Sequence, residues 1–220
     1  VIDLPSVHSL RHAEDDDRAT LKYLLWGDER PPVSLHEPEG PPAPFSPPDV
    51  IVQVIDATAL ERHLELTLEL AQLGRPLLIA LNKMDEAQDR GLYINGRVLA
   101  AQLGVPVIPT VAVMGHGISE LFRAAVNAMR EGTCPLAQPA SQHIAERLQP
   151  LGAALAAAEI QRAFRVPTQF LATHIAEGDR YFLDELQQHF PERLPEVRRL
   201  LAVAEQTLPR PLPDELHADR

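Results

Sequence analysis

Hydrophobic and polar positions alternate between two regimes along the chain. Val50-Ile51-Val52-Gln53-Val54-Ile55 is a β-branched run, the pattern of a parallel strand buried on both faces. Leu60, Leu64, Leu68, Leu70, Ala71 and Leu73 then recur at helical spacing until Gly74-Arg75-Pro76 stops the helix. Leu77 to Leu81 reads as a second buried strand, and Arg97 to Leu103 as a short helix capped by Gly104. Val105 to Pro109 reads as a third strand and Ile118 to Met129 as a closing helix. Strands alternating with helices over short links predict a parallel α/β sheet with right-handed crossovers.

The flanks differ. Val1-Ile2-Asp3-Leu4-Pro5 reads as the end of a buried strand running into a loop, and Asp15-Asp16-Asp17 as the solvated start of a helix, where carboxylates suit the dipole. Eight prolines between Pro31 and Pro48 exclude ladder or helix there. That stretch reads as an extended surface loop, with a polyproline recognition ligand as the competing reading. From Ser141 to Arg220 no β-branched run occurs. The segment is rich in Ala, Leu, Glu, Gln and Arg and punctuated by Pro150, Pro167, Pro191 and Pro195. It predicts a bundle of about four helices, with Pro209 to Pro213 ending it and a frayed tail beyond.

Composition narrows the classes. The formal net charge is −11 over 220 residues, which argues against a nucleic-acid partner. Cys134 is the one cysteine, so no internal disulfide forms and a cytosolic setting is the simpler reading. No apolar run approaches bilayer length. The first residue is Val1 rather than Met, so the chain is expected to be a fragment. Nine histidines are spread along it with no pair at metal-ligand spacing such as HxxxH.

The chemically informative motif is Asn82-Lys83-Met84-Asp85, which follows the Leu77–Leu81 strand. Ligands of open parallel sheets bind outside the carboxyl ends of the strands. A carboxylate there accepts from the N1–H and exocyclic amino group of guanine, a pair adenine lacks. The Lys83 stem can lie on the base, and the Asn82 amide can bridge loops. Asp3-Leu4-Pro5-Ser6, also at an expected strand end, is one residue from a DxxG element, whose Asp holds Mg²⁺ through water. Ser6 takes the glycine's place, where backbone must approach a phosphate. Thr110 to Gly117 could offer the Ala112 N–H to guanine O6; glycines that serve only to turn the chain are the alternative. No GxxxxGK[ST] loop occurs.

Val54-Ile55-Asp56-Ala57-Thr58-Ala59-Leu60-Glu61-Arg62-His63-Leu64, continuing through Leu66-Thr67-Leu68 to Leu73-Gly74-Arg75-Pro76 and Asn82-Lys83-Met84-Asp85, resembles the cytosolic G domain of the ferrous iron transport protein B (FeoB) family. Asp3 to Leu10, Leu103 to Thr110 and the Gln169 to Asp179 segment also resemble it. The resemblance implies a Ras-like P-loop-type GTPase sheet, incomplete at the N-terminus, in residues 1–132 with a Pro-rich insertion at 31–48. A helical, GDP-stabilising domain follows in 133–220. It implies guanine binding by Asn82, Lys83, Asp85 and Ala112, a Mg²⁺ shell on Asp3, a phosphate and switch role for Asp3 and Ser6, and a mobile switch over His8–Asp17. GTP or GDP with Mg²⁺ would be the cofactors. The partner would be the membrane permease portion of the same transporter, at the cytoplasmic face of the inner membrane, with homo-oligomerisation left open. The primary expectation is the GTPase regulatory domain of a ferrous iron transporter, lacking its first strand, phosphate loop and first switch, with no catalytic base assigned. A hydrolysis-deficient interaction module that keeps the fold is the alternative, and a soluble assembly-type GTPase a third.

Overall fold

The computed structural model describes residues 1–7, 9–10, 15–27, 47–132, 134–135, 141–206 and 208–218. Most of the 31–48 insertion and much of the expected His8–Asp17 switch lie outside them. The chain divides into two compact units, Val1–Leu10 with Lys22–Ala137, and Arg11–Leu21 with Gln138–Arg220. Helix α1 (Asp15–Trp26) runs across that division.

The first unit is built on three parallel strands in the order β1 (Ile51–Asp56), β2 (Leu77–Asn82), β3 (Val107–Pro109). The centre is β2, because Leu77-Leu78-Ile79-Ala80-Leu81 is apolar at every position and each residue is buried. Helix α2 (Leu60–Ala71) crosses from β1 to β2 and α4 (Gly96–Leu103) leads into β3. The α4 N-terminus is capped by Asn95 Oδ1, which accepts from the N–H groups of Arg97 and Val98 at 3.1 and 3.2 Å. Helix α5 (Ile118–Glu131) packs on β2. Arg75, after α2, donates to the carbonyls of Leu25 and Pro48 and so fixes the end of α1 and the entry to β1.

Four expectations need correcting in this unit. The β1 run is buried on one face only: Ile51, Gln53 and Ile55 are covered, whereas Val52 and Val54 are 39% and 63% exposed. Val1 to Pro5 forms no strand, and Val1, Ile2 and Asp3 are exposed; a strand needs a ladder partner, and they have none among the described residues. The third strand starts at Val107 rather than Val105, since Pro106 brings no N–H to the ladder. A short helix, α3 (Met84–Asp89), stands where none is expected. It buries only Ala87, so it leaves no apolar periodicity to read.

From Ser141 on, the described residues form six helices rather than about four: α6 (Gln142–Leu155), α7 (Ala158–Phe164), α8 (Thr168–Ala176), α9 (Arg180–His189), α10 (Leu194–Glu205) and α11 (Leu212–Ala218). The prolines mark helix starts more than stops. Pro167 precedes α8 and Pro195 lies in the first turn of α10, where the missing N–H costs nothing. Pro150, by contrast, lies inside α6. The tail does not fray at Pro213, because α11 buries Leu212 and Leu216. Helix α8 is the core element, buried from Phe170 to Ala176. His174 lies tilted against Phe170 with ring centroids 4.2 Å apart and meets Phe182 edge-on at 5.1 Å. Its Nδ1 lies 2.9 Å from Asp179 Oδ2, and Asp179 Oδ1 accepts from Tyr181 N–H to cap α9.

Candidate functional site

The carboxyl ends of the three strands converge on one edge of the sheet. There β2 delivers Asn82, and the chain turns sharply at Lys83 with φ 60° and ψ 39°. That left-handed conformation is uncommon for a residue with a side chain. The turn starts α3 at once and puts Asp85 in its first turn.

Asn82 faces β3. Its Oδ1 accepts from the Ala112 N–H at 3.0 Å and from Thr110 Oγ1 at 3.3 Å. Thr110 N–H donates to the Leu81 carbonyl at 2.8 Å, which extends the ladder one step past β3. The bridging role expected of the Asn82 amide is therefore present. The Ala112 N–H, which the sequence offers to guanine O6, is engaged by Asn82 here.

Lys83 faces β1. Its Nζ is 2.7 Å from Asp56 Oδ2, and the other oxygen of Asp56 accepts from Thr58 N–H and Oγ1, each at 2.8 Å. The hydrogen bond from Lys83, aided by those from Thr58 and opposed by partial burial, holds the Asp56 carboxyl at about 2. The same contact raises the Lys83 ammonium above its ordinary value. Asp85 is exposed, and its carboxylate accepts no hydrogen bond among the described residues.

The loop after β3 closes tightly. Val111 and His116 exchange backbone hydrogen bonds at 3.1 and 3.2 Å around the turn Ala112–Met114. Gly117 has φ 77°, and a Cβ there would lie 2.2 Å from the Pro109 carbonyl oxygen. Gly115 has φ 72° with open space around it. One glycine thus permits close approach and the other only a turn.

Asp3 and Ser6 are exposed, and no hydrogen bond or ion pair joins them to the Asn82–Asp85 loop among the described residues. The segment they open is anchored downstream, where the buried Glu69 carboxylate of α2 accepts from Ser9 Oγ at 2.9 Å and from Leu10 N–H at 2.5 Å. Sequence reasoning missed Asp56, Thr58 and Glu69 as site-forming residues. The signal for Asp56 is its register opposite Asn82 in the β1–β2 ladder. No group of three metal-ligating side chains occurs among the described residues.

A parallel sheet with this Asn-Lys-x-Asp loop on its carboxyl edge, followed by a helical unit, defines a Ras-like G domain with a helical part. Residues 45–125 match the family model for ferrous iron transport protein B. The chain is 29% identical over 183 residues to an Fe(2+) transport protein A/Fe(2+) transporter FeoB fusion protein of Porphyromonas gingivalis, covering 82% of this chain and 19% of that protein. It is 35% identical over 125 residues to the Fe(2+) transporter FeoB of Escherichia coli K12, covering 55% of this chain and 14% of that one. Its fold matches the cytosolic domain of L. pneumophila FeoB with TM-score 0.69 and 26% identity, over 99% of this chain and 73% of that one. It also matches mGMPPNP-bound NFeoB from S. thermophilus with TM-score 0.76 and 24% identity, over 99% and 73%. The chain fits an FeoB cytosolic G domain. It spans about a fifth or less of the length of these two curated relatives.

Proposed function

We propose that this chain is the guanine-nucleotide-binding regulatory part of a ferrous iron transporter. In this reading residues 1–132 belong to the G domain and 133–220 to a helical regulatory domain, on the cytoplasmic face of the membrane. The permease portion of the same protein is the partner, and nucleotide state is coupled to iron uptake. The observation that carries the reading is the division of labour in the Asn82–Asp85 loop. Asn82 and Lys83 are tied to the strand ends on either side, and the Asp85 carboxylate alone is left unbonded at the mouth. Such a carboxylate selects guanine through N1–H and the amino group. Ala112 marks the rim on the β3 side.

Asp3 fits a Mg²⁺ shell as one exposed carboxylate, since Mg²⁺ keeps most of its waters and takes few protein ligands. Bound Mg²⁺ would neutralise charge on the phosphates. Ser6 would face the phosphate from the same segment, and Glu69 would hold its far end. A second reading, a module that binds nucleotide without hydrolysing it, is favoured by Ser6 alone; single-turnover GTP hydrolysis separates the two.

The test is nucleotide preference in Asp85→Asn. Exchanging an acceptor oxygen for a donor amide is expected to weaken GDP by about ten- to a hundredfold, as for loss of hydrogen bonds to a charged group. It should improve xanthosine diphosphate, whose C2 carbonyl accepts where guanine donates. Unchanged GDP affinity would refute the base-reading role.

A further inference from the structure

Lys83 carries a constraint that guanine selection by Asp85 does not require. Its ammonium is drawn 2.7 Å from Asp56 Oδ2, across the gap between the ends of β1 and β2. Asp56 is itself immobilised, because its other oxygen is gripped by Thr58 N–H and Oγ1 at the start of the turn Ala57–Ala59. Asp56 also pairs in register with Asn82, the residue before Lys83. Lys83 takes a left-handed backbone conformation at this turn, and its side chain returns over that pair. The outcome is a lysine anchored at both ends, by its backbone at the head of α3 and by its ammonium at the end of β1.

We infer that Asp56 is a positioning residue for the nucleotide base: it holds the Lys83 ammonium against β1, so that the methylene stem forms a fixed apolar strip on which one face of the ring rests. Lysine ordinarily loses much rotamer freedom when a ligand orders its stem. A stem already ordered by a tie outside the ligand avoids that loss at binding. Aromatic rings and alkyl stems pack by area, so the strip adds affinity for any flat base and leaves the choice among purines to Asp85. The inference rests on the base-reading proposal above and adds the residue that prepares its platform.

The experiment is stopped-flow dissociation of fluorescent mant-GDP from the full-length protein in wild type, Asp56→Asn, Lys83→Met and the double variant. Competition by inosine diphosphate, which lacks the amino group, is measured alongside. Asp56→Asn keeps an oxygen for Thr58 and removes the charge that holds Lys83. Dissociation is expected to quicken about three- to fivefold, the upper part of the range of an exposed ion pair. The double variant should dissociate no faster than Lys83→Met alone, and the GDP-to-inosine diphosphate ratio should stay at the wild-type value. Unchanged dissociation in Asp56→Asn, full additivity with Lys83→Met, or a fall in that ratio would each overturn the assignment. Should Asp56→Asn not fold, molar salt replaces it: screening should quicken release from wild type more than from Lys83→Met, and equal acceleration overturns it. Asp85→Asn in the same series isolates the underlying reading, because GDP held as tightly as in wild type would defeat base selection whatever Asp56 does.

Discussion

Asp56 is a partly exposed carboxylate at the end of β1 that accepts from Thr58 N–H and Oγ1 in the following turn and from the Lys83 ammonium, and the tie to Lys83 holds its carboxyl down to about 2. The sign follows from the depressed value. The contribution to stability is fully present above the ordinary carboxylate value near 3.8 and is lost as pH falls through about 2. A ¹³C carboxyl titration of the chain should show Asp56 titrating near 2, and Lys83→Met should bring it back toward 3.8. Titration of Asp56 near 3.8 in the unaltered chain would mean that the ion pair does not form in solution. Gly117 is the other residue where local geometry decides. With φ 77° and the Pro109 carbonyl 2.2 Å from where a Cβ would stand, Gly117→Ala should cost about 2–4 kcal/mol, combining left-handed strain and overpacking. Urea denaturation measures it, and a cost within 0.5 kcal/mol, the range of an ordinary surface change, would contradict the close approach.

Among the elements, β2 is legible in the sequence because a strand covered on both faces is apolar at every position. The Asn82-Lys83-Met84-Asp85 loop is legible for a related reason, since such a strand must end where ligands of parallel sheets bind. The β1 run looks the same on paper, yet Val52 and Val54 stand exposed; β-branched residues do not say which face is covered. Helices α3 and α11 are too short to declare a period, and the prolines near Pro213 hide a helix start. Lys83 and Asp56 are far apart in sequence, so their contact depends on strand register, which single-sequence patterns do not contain. In the helical unit, the Gln169–Asp179 stretch is recognisable as a motif, but its reason is three-dimensional. His174, 1% exposed, bonds the same aspartate that caps α9, linking the end of one helix to the start of the next. His174→Ala should therefore destabilise the chain by about 1–3 kcal/mol, the cost of leaving a buried polar group without its partner. A denaturation midpoint equal to wild type would show that the pair contributes nothing.

At the scale of the whole molecule, one unit presents a sheet edge and the other a helical core, and each is stabilised by its own buried residues. Among the described residues no helix is long and apolar enough to cross a membrane, and no metal-ligating cluster is present. On the carboxyl edge of the sheet, the Asn82–Asp85 loop is clamped from both sides. The proposed coupling to iron depends on that edge recognising guanine in particular. Calorimetric titration of the full-length protein with GDP and with ADP tests this most directly. Asp85 recognition of N1–H and the amino group predicts GDP binding tighter by at least about tenfold; equal affinity for the two nucleotides would contradict it.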